Sequence, residues 1–466
     1  MLTGHVDEES RNVFWPRVRE FAVPPSMIAT ATARRLAGDW AGACAAARVD
    51  VDLRVRSVAR SHGHEVAARL RDDLRHLAPD LLRWHLPRIA PDGLLRPGLT
   101  VALARYGTAA RDGTGALWLV ARTVPAWADS GQRISLAVWD PARTTDTARQ
   151  PPHPHPRPQP RFRLDLHRHL WDARRAHELA ARSASGTVDD GVPPGGRQSA
   201  VGQWPTVEQR PAVERRPAVG RWADEARLLL RADGLPDGTA VLVRAGARHR
   251  FLVRPDGRTE PVAPGRGGGG RVPVLPDAAT WEAPDVALLR AGAIDPDRLH
   301  PLVAAALVPG HVPSPAPPDR DTGPRPVACR GAEHRIALVD GVLVPLDHGP
   351  DEIRREELLA ALTGAPLPCL QAIDQAHRRP DCLVDVRERL RHGDTEGALT
   401  VVEHLLGRAA SLRDGALREA LESAARQRLT YGLFRAGLSH PPPSPPASPA
   451  RRPRVARGRP RYAQVH

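Results

Sequence analysis

Proline sets the outer limits on what this chain can fold into. Its 49 prolines are clustered: PPHPHPRPQP lies within 146–163, a second run spans 312–325, and a third follows Leu438. Proline fixes φ and has no backbone N–H, so such runs cannot lie inside a helix or sheet. They read as extended linkers. Between them a hydrophobic content of 41% is enough for real cores. The sequence therefore predicts an α+β, multi-domain chain of helical hairpins plus small antiparallel β-units, joined by Pro-rich disordered linkers.

Six segments follow. Residues 21–141 read as helices followed by a β-meander, with strands at 99–106, 117–122 and 133–139. In the first half, Val55, Val58, His62, Val66, Leu70, Leu74 and Leu77 make one apolar stripe at three- and four-residue spacing, which predicts one longer helix. Residues 142–221 form a Pro/His-rich linker containing one helix over 164–182 and a hexad repeat, WPTVEQ, RPAVER, RPAVGR. Residues 222–311 are a small α+β island, and 312–325 a linker. Residues 326–437 carry a β-hairpin and C-terminal helices, and 438–466 a disordered Arg/Pro-rich tail.

A short unit occurs twice. GARHRFLVRPDG (246–257) and GAEHRIALVDG (331–341) share Gly-Ala-x-His-Arg, an apolar strand and an Asp-Gly turn. Asp-Gly favours the turn that joins antiparallel strands. Two similar hairpins are expected, one in each of the last two islands; whether they pack on each other across the 312–325 linker is left open by the sequence. The recurrent polar pair, His249-Arg250 and His334-Arg335, opens each strand. It is the candidate contact for an anion or an acidic peptide.

All 67 basic residues other than histidine are arginine. This reflects a GC-rich bacterial genome, but it has chemical force. Without lysine there is no Schiff-base nucleophile, no P-loop lysine and no ordinary protein-kinase lysine. The net charge is +14. Arg451, Arg452, Arg454, Arg457, Arg459 and Arg461 place much of it in the tail, so the folded part is only moderately basic. The four cysteines, Cys44, Cys329, Cys369 and Cys382, form no CxxC pair and read as buried thiols in a reducing cytoplasm. The start, MLTGHVDEESRN, carries no signal-peptide pattern, and the longest apolar runs are too short to span a bilayer.

Two local resemblances stand out. Leu36-Ala-Gly-Asp-Trp40 and His392-Gly-Asp-Thr395, each followed by small residues, resemble the helical hairpin of tetratricopeptide repeats. They are not in tandem, whereas a solenoid needs about three stacked repeats. They are read as isolated helix-turn-helix units, with Gly ending one helix and Asp capping the next. In the tail, Arg457-Gly458-Arg459-Pro460 resembles the core of an AT-hook. That resemblance implies an extended segment in the narrow minor groove of A·T-rich DNA.

Other constellations carry less. His62/His64, His153/His155 and His167/His169/His177 lack zinc spacing. GRGGGG (265–270) precedes no helix and is read as a loop. Asp50 and Asp52 are read as a solvated turn, and Glu356/Glu357 as surface partners of arginine. No catalytic residues, cofactor or metal are assigned. The expected function is a non-catalytic intracellular scaffold or regulatory protein that binds other proteins. The alternatives are a DNA-associated protein using its tail, or an enzyme of unrecognised type.

Overall fold

The computed structural model describes residues 15–107, 116–128, 132–143, 153, 155–183, 216–246, 249–262, 272–314, 323–364 and 366–439. The expectations for the hexad up to residue 215, for 265–270 and for the tail lie outside them. The architecture is α+β and multi-domain, with several small sheets.

Helices Pro25–Leu36 and Trp40–Ala46 make the first hairpin. Gly38 adopts φ +77°, a region that disfavours residues with a β-carbon, and the Asp39 carboxylate accepts from Gly42 N at 2.8 Å. The apolar stripe after it is not one helix. Gly63, at φ +87°, divides it into Val55–His62 and His64–His76. His62 turns off the stripe, with its Nε2 3.0 Å from Asp140.

The first body closes around a four-stranded sheet. Strands are β1 (Val49–Val51), the minor pair β2 (Arg88–Ile89) and β3 (Leu94–Leu95), then β4 (Thr100–Tyr106), β5 (Leu117–Thr123) and β6 (Ile134–Trp139). β4, β5 and β6 form the expected meander, and β1 adds in parallel beside β6. Leu70, Leu74, Leu81 and Leu82 share one buried cluster with Val101, Leu103, Leu119 and Leu136. Each fully buried large side chain contributes roughly 1.5–3 kcal/mol, and this cluster holds more buried residues than the others described.

The proline-rich segment after it does not stand clear of the body. β4 is an edge strand, and its free carbonyls attract donors. Gln159 N–H donates to Thr100 O at 3.0 Å and Leu164 N–H to Ala102 O at 2.7 Å. The single helix expected over 164–182 is replaced by 3-10 turns and a short helix, Glu178–Ser183. Asp172 interrupts it by accepting from the Arg174 N–H, a local bond that competes with the helix.

In the second island helix Trp222–Asp233 covers β7 (Val241–Ala245), β8 (His249–Val253) and β9 (Thr259–Pro261). Trp222, Ala226, Leu229 and Leu230 pack on Val241, Val243 and Val253. The chain then returns to the first body. Leu288, Ile294, Leu299 and Val303 join that body's core, although their positions fall in the segment expected to be the second island. Asp285 fixes them there by accepting from Arg19 Nε at 2.8 Å and Trp84 Nε1 at 3.0 Å.

The third unit is a meander, β10 (Arg325–Cys329), β11 (Ala332–Val339) and β12 (Val342–Pro345), followed by helices. The two copies of the repeat are thus both antiparallel, and each has three strands where a hairpin was expected. Their turns differ. Asp340 and Gly341, at φ +51° and +77°, make the tight turn expected of Asp-Gly, whereas Pro255-Asp256-Gly257 lies in a wider one closed by Arg254 N–H to Arg258 O. The copies belong to separate buried clusters. Helices Leu383–Arg391 and Thr395–Leu406 form the second hairpin, with Asp394 accepting from Gly397 N as Asp39 does from Gly42. Arg48, leaving the first hairpin, reaches Asp394 at 2.7 Å. The last helix, Ala416–Arg435, packs Phe434 against Trp127 of the first body.

Candidate metal centre

Cys329 ends β10. A tight turn follows, with Arg330 at φ +54° and Gly331 at φ +83°. Cys329 pairs with Ala332, and His334 stands two residues further along β11. Alternate residues share a face, so Cys329 and His334 point to the same side of the sheet. β12 then leads out through Asp347 to His348. Cys369 sits in the first turn of helix Pro368–Arg378, where the helix dipole favours a thiolate.

These four side chains converge. One ligand atom from each of Cys329, His334, His348 and Cys369 lies within 4.8 Å of every other. Cys329 Sγ is 3.8 Å from His348 Nε2, and His334 Nδ1 is 2.7 Å from the same nitrogen. Both cysteines are fully buried and His348 nearly so. Burial, then the adjacent Cys329, pushes the Cys369 thiol up to about 11. A bound cation would act in the opposite sense.

The geometry suits a tetrahedral ion. Zinc bonds of about 2.0–2.1 Å to nitrogen and about 2.3 Å to sulfur place an N···S pair about 3.6 Å apart and an N···N pair about 3.3 Å apart. The observed sulfur–nitrogen spacing already fits. The two rings need to part by about 0.6 Å to admit the metal. A carboxylate completes the design: His348 Nδ1 is 3.3 Å from Glu352 Oε2, one helical turn on. That contact places the proton on Nδ1 and leaves the Nε2 lone pair for a metal.

The sequence-selected residues divide. His334 is in this cluster. Arg335 flanks it, pairing at 2.8 Å with Asp347, the residue before His348. This pair holds the exposed Asp347 carboxyl down to about 2. His249 and Arg250 lie on β8 in the other unit, away from this centre. In that copy Arg244 occupies the position of Cys329, and Pro264 that of His348. Arg457, Gly458, Arg459 and Pro460 lie outside the described residues.

The remaining constellations have structural partners. Asp50 and Asp52, expected in a solvated turn, lie on or beside β1. Asp50 takes a bidentate contact from Arg133 and the Tyr431 hydroxyl, and Asp52 pairs with Arg435. His167 is 3.3 Å from Glu225, and burial followed by His167 pushes the His169 ring down to about 2. His153 Nε2 meets the Thr123 carbonyl at 3.0 Å. Glu356 pairs with Arg330. Comparison with family models, curated proteins and solved structures finds no match.

Spacing alone passes over the four-ligand set. It reads Cys-x4-His, then a histidine after the hairpin and a cysteine from the next helix but one, which is no familiar zinc pattern. The available signal was Cys329 and His334 flanking a Gly-containing turn in one β-unit.

Proposed function

We propose that Cys329, His334, His348 and Cys369 hold one zinc ion in a structural role, within a non-catalytic protein that binds other proteins. The observation that carries this reading is the closed set of four protein ligands, two nitrogen and two sulfur. Soft thiolates select zinc over magnesium or calcium, and four protein ligands leave no position for water or substrate. The ion would cross-link three pieces that already share one buried cluster: the β10–β11 turn, the exit of β12 and the start of helix Pro368–Arg378. A three-stranded meander with so few buried residues needs such support. Thiols reserved for a metal belong in a reducing compartment, so the cytoplasm is the proposed location. No helix of the described residues is long and apolar enough to cross a membrane.

Cobalt(II) loaded into the metal-free full-length chain tests the ligand set. The expected spectrum has the intense visible bands of a tetrahedral ion and thiolate charge-transfer bands, and it does not respond to azide. Loss of the thiolate bands overturns the ligand set, and an azide-sensitive spectrum overturns the structural role. For the partner, affinity purification of the full chain from its own cells should recover one protein in stoichiometric amount. Recovery of the chain alone counts against the scaffold reading.

A further inference from the structure

The seam between the first body and the C-terminal helices holds more positive charge than its carboxylates can balance. Arg83, on helix Pro79–His85, is 0% exposed. Its Nε donates to Ala22 O at 2.9 Å and its Nη2 to His392 O at 3.4 Å, while Nη1 has no partner among the described residues. Among the described residues no carboxylate pairs with it. Arg88 lies beside it and donates Nη2 to the carbonyl of Arg83 itself at 2.9 Å; among the described residues its Nε is also without a partner. His392, in the turn between the last hairpin's helices, is 0% exposed, and neither ring nitrogen has a partner among the described residues.

The nearby acids are already committed. Asp394 is shared by Arg48 at 2.7 Å and Arg389 at 3.1 Å, and it also caps Gly397 N. Asp92, in the turn that Arg88 holds through Gly93 O, is paired with Arg391 at 3.2 Å. Carbonyl oxygens satisfy single N–H groups, but they do not cancel a charge. A guanidinium does not lose its proton at any ordinary pH, so neutralisation by titration is closed to Arg83. An unpaired charge this deep is among the most costly features a fold can contain. Water would satisfy orphaned donors and leave the charge in place.

We infer that this seam binds a small inorganic anion of the halide class, held by Arg83 and Arg88 with an N–H of His392. Burial, then Arg88 and Arg83, hold the His392 ring down to about 3, so it contributes one neutral donor. The depth of Arg83 and His392 favours a compact ion over an organic acid. Because the carbonyl of His392 belongs to the C-terminal hairpin and Arg83 to the first body, the anion fastens one to the other. This site shares no residue with the metal centre.

The test uses the metal-loaded, full-length protein. Thermal unfolding is followed as sodium chloride replaces sodium gluconate at constant ionic strength, gluconate being too large to enter. The expected result is a rise of several degrees in Tm that saturates, as mass action requires. Chlorine NMR of the same samples should show line broadening that bromide reverses. Arg83→Met should abolish both responses, and Arg408→Met, at an exposed position, should keep them. If Arg83→Met does not fold, Arg88→Met should weaken the response. An unfolding midpoint in the native protein that depends on ionic strength alone overturns the inference. So does a folded Arg83→Met or Arg88→Met that keeps the full chloride response.

Discussion

Glu352 lies outside the proposed ligand set yet sets the state of one of its members. By accepting from His348 Nδ1–H it fixes the tautomer that presents Nε2. Glu352→Gln should therefore weaken zinc affinity about 10–100-fold without unfolding the chain. Competition with a chromophoric chelator measures this, and an unchanged affinity refutes the role. A second residue-scale case is Asp285. Its ion pair with Arg19 is buried on both sides, and Arg19 also lies over the Trp84 ring at 4.1 Å. Asp285→Ala leaves a buried guanidinium unpaired and should cost about 3–5 kcal/mol, read by denaturant unfolding. Neither residue announces itself in the sequence. Glu352 sits in a run of charges, and Asp285 opens an ordinary short helix. Asp285 acquires its role from Arg19 and Trp84, distant in the chain, and the Glu352 contact with His348, though local, gains its meaning only once His348 meets Cys329, His334 and Cys369.

Elements were legible where their own residues decide them. Gly38-Asp39 and Gly393-Asp394 end one helix and cap the next because of their own chemistry, and Asp340-Gly341 sets its own tight turn. The stripe from Val55 to Leu77 reads as continuous because Gly63 is one residue against many good periodic ones, and only its φ marks the break. β1 and β10 were not foreseen because each is completed by pairing with a distant or newly turned strand. The second meander also shows a tight approach between elements. Ala409 N–H donates to Gly341 O, and a β-carbon on Gly407 would lie 2.0 Å from that same oxygen. Gly407 is also at φ +86°. Gly407→Ala should destabilise the C-terminal unit by about 2 kcal/mol or more, since two backbones must separate. Unfolding at the wild-type midpoint would show the contact to be dispensable.

At the scale of the molecule residues 48–52 of the first body meet the C-terminal helices. Arg48 reaches Asp394, Tyr431 donates to Asp50, and Arg435 pairs with Asp52. Burial raises the Asp50 carboxyl, but hydrogen bonds from Arg133 and Tyr431 outweigh it and hold the group below the usual range. A carboxylate depressed in the folded state stabilises above its unfolded pKa, and that contribution is lost as pH falls through the folded value. Stability should therefore decline below about pH 4, and less steeply in Asp50→Asn, as acid titration of unfolding would show. The four-ligand centre is likewise assembled from separate elements, its cysteines and histidines coming from two strands, a loop and a helix. Native mass spectrometry of the full-length chain from zinc-sufficient cells tests that centre most directly. One zinc per chain, absent from Cys369→Ser, is the predicted result. A folded native chain without metal, or a Cys369→Ser chain that keeps its zinc, contradicts the account.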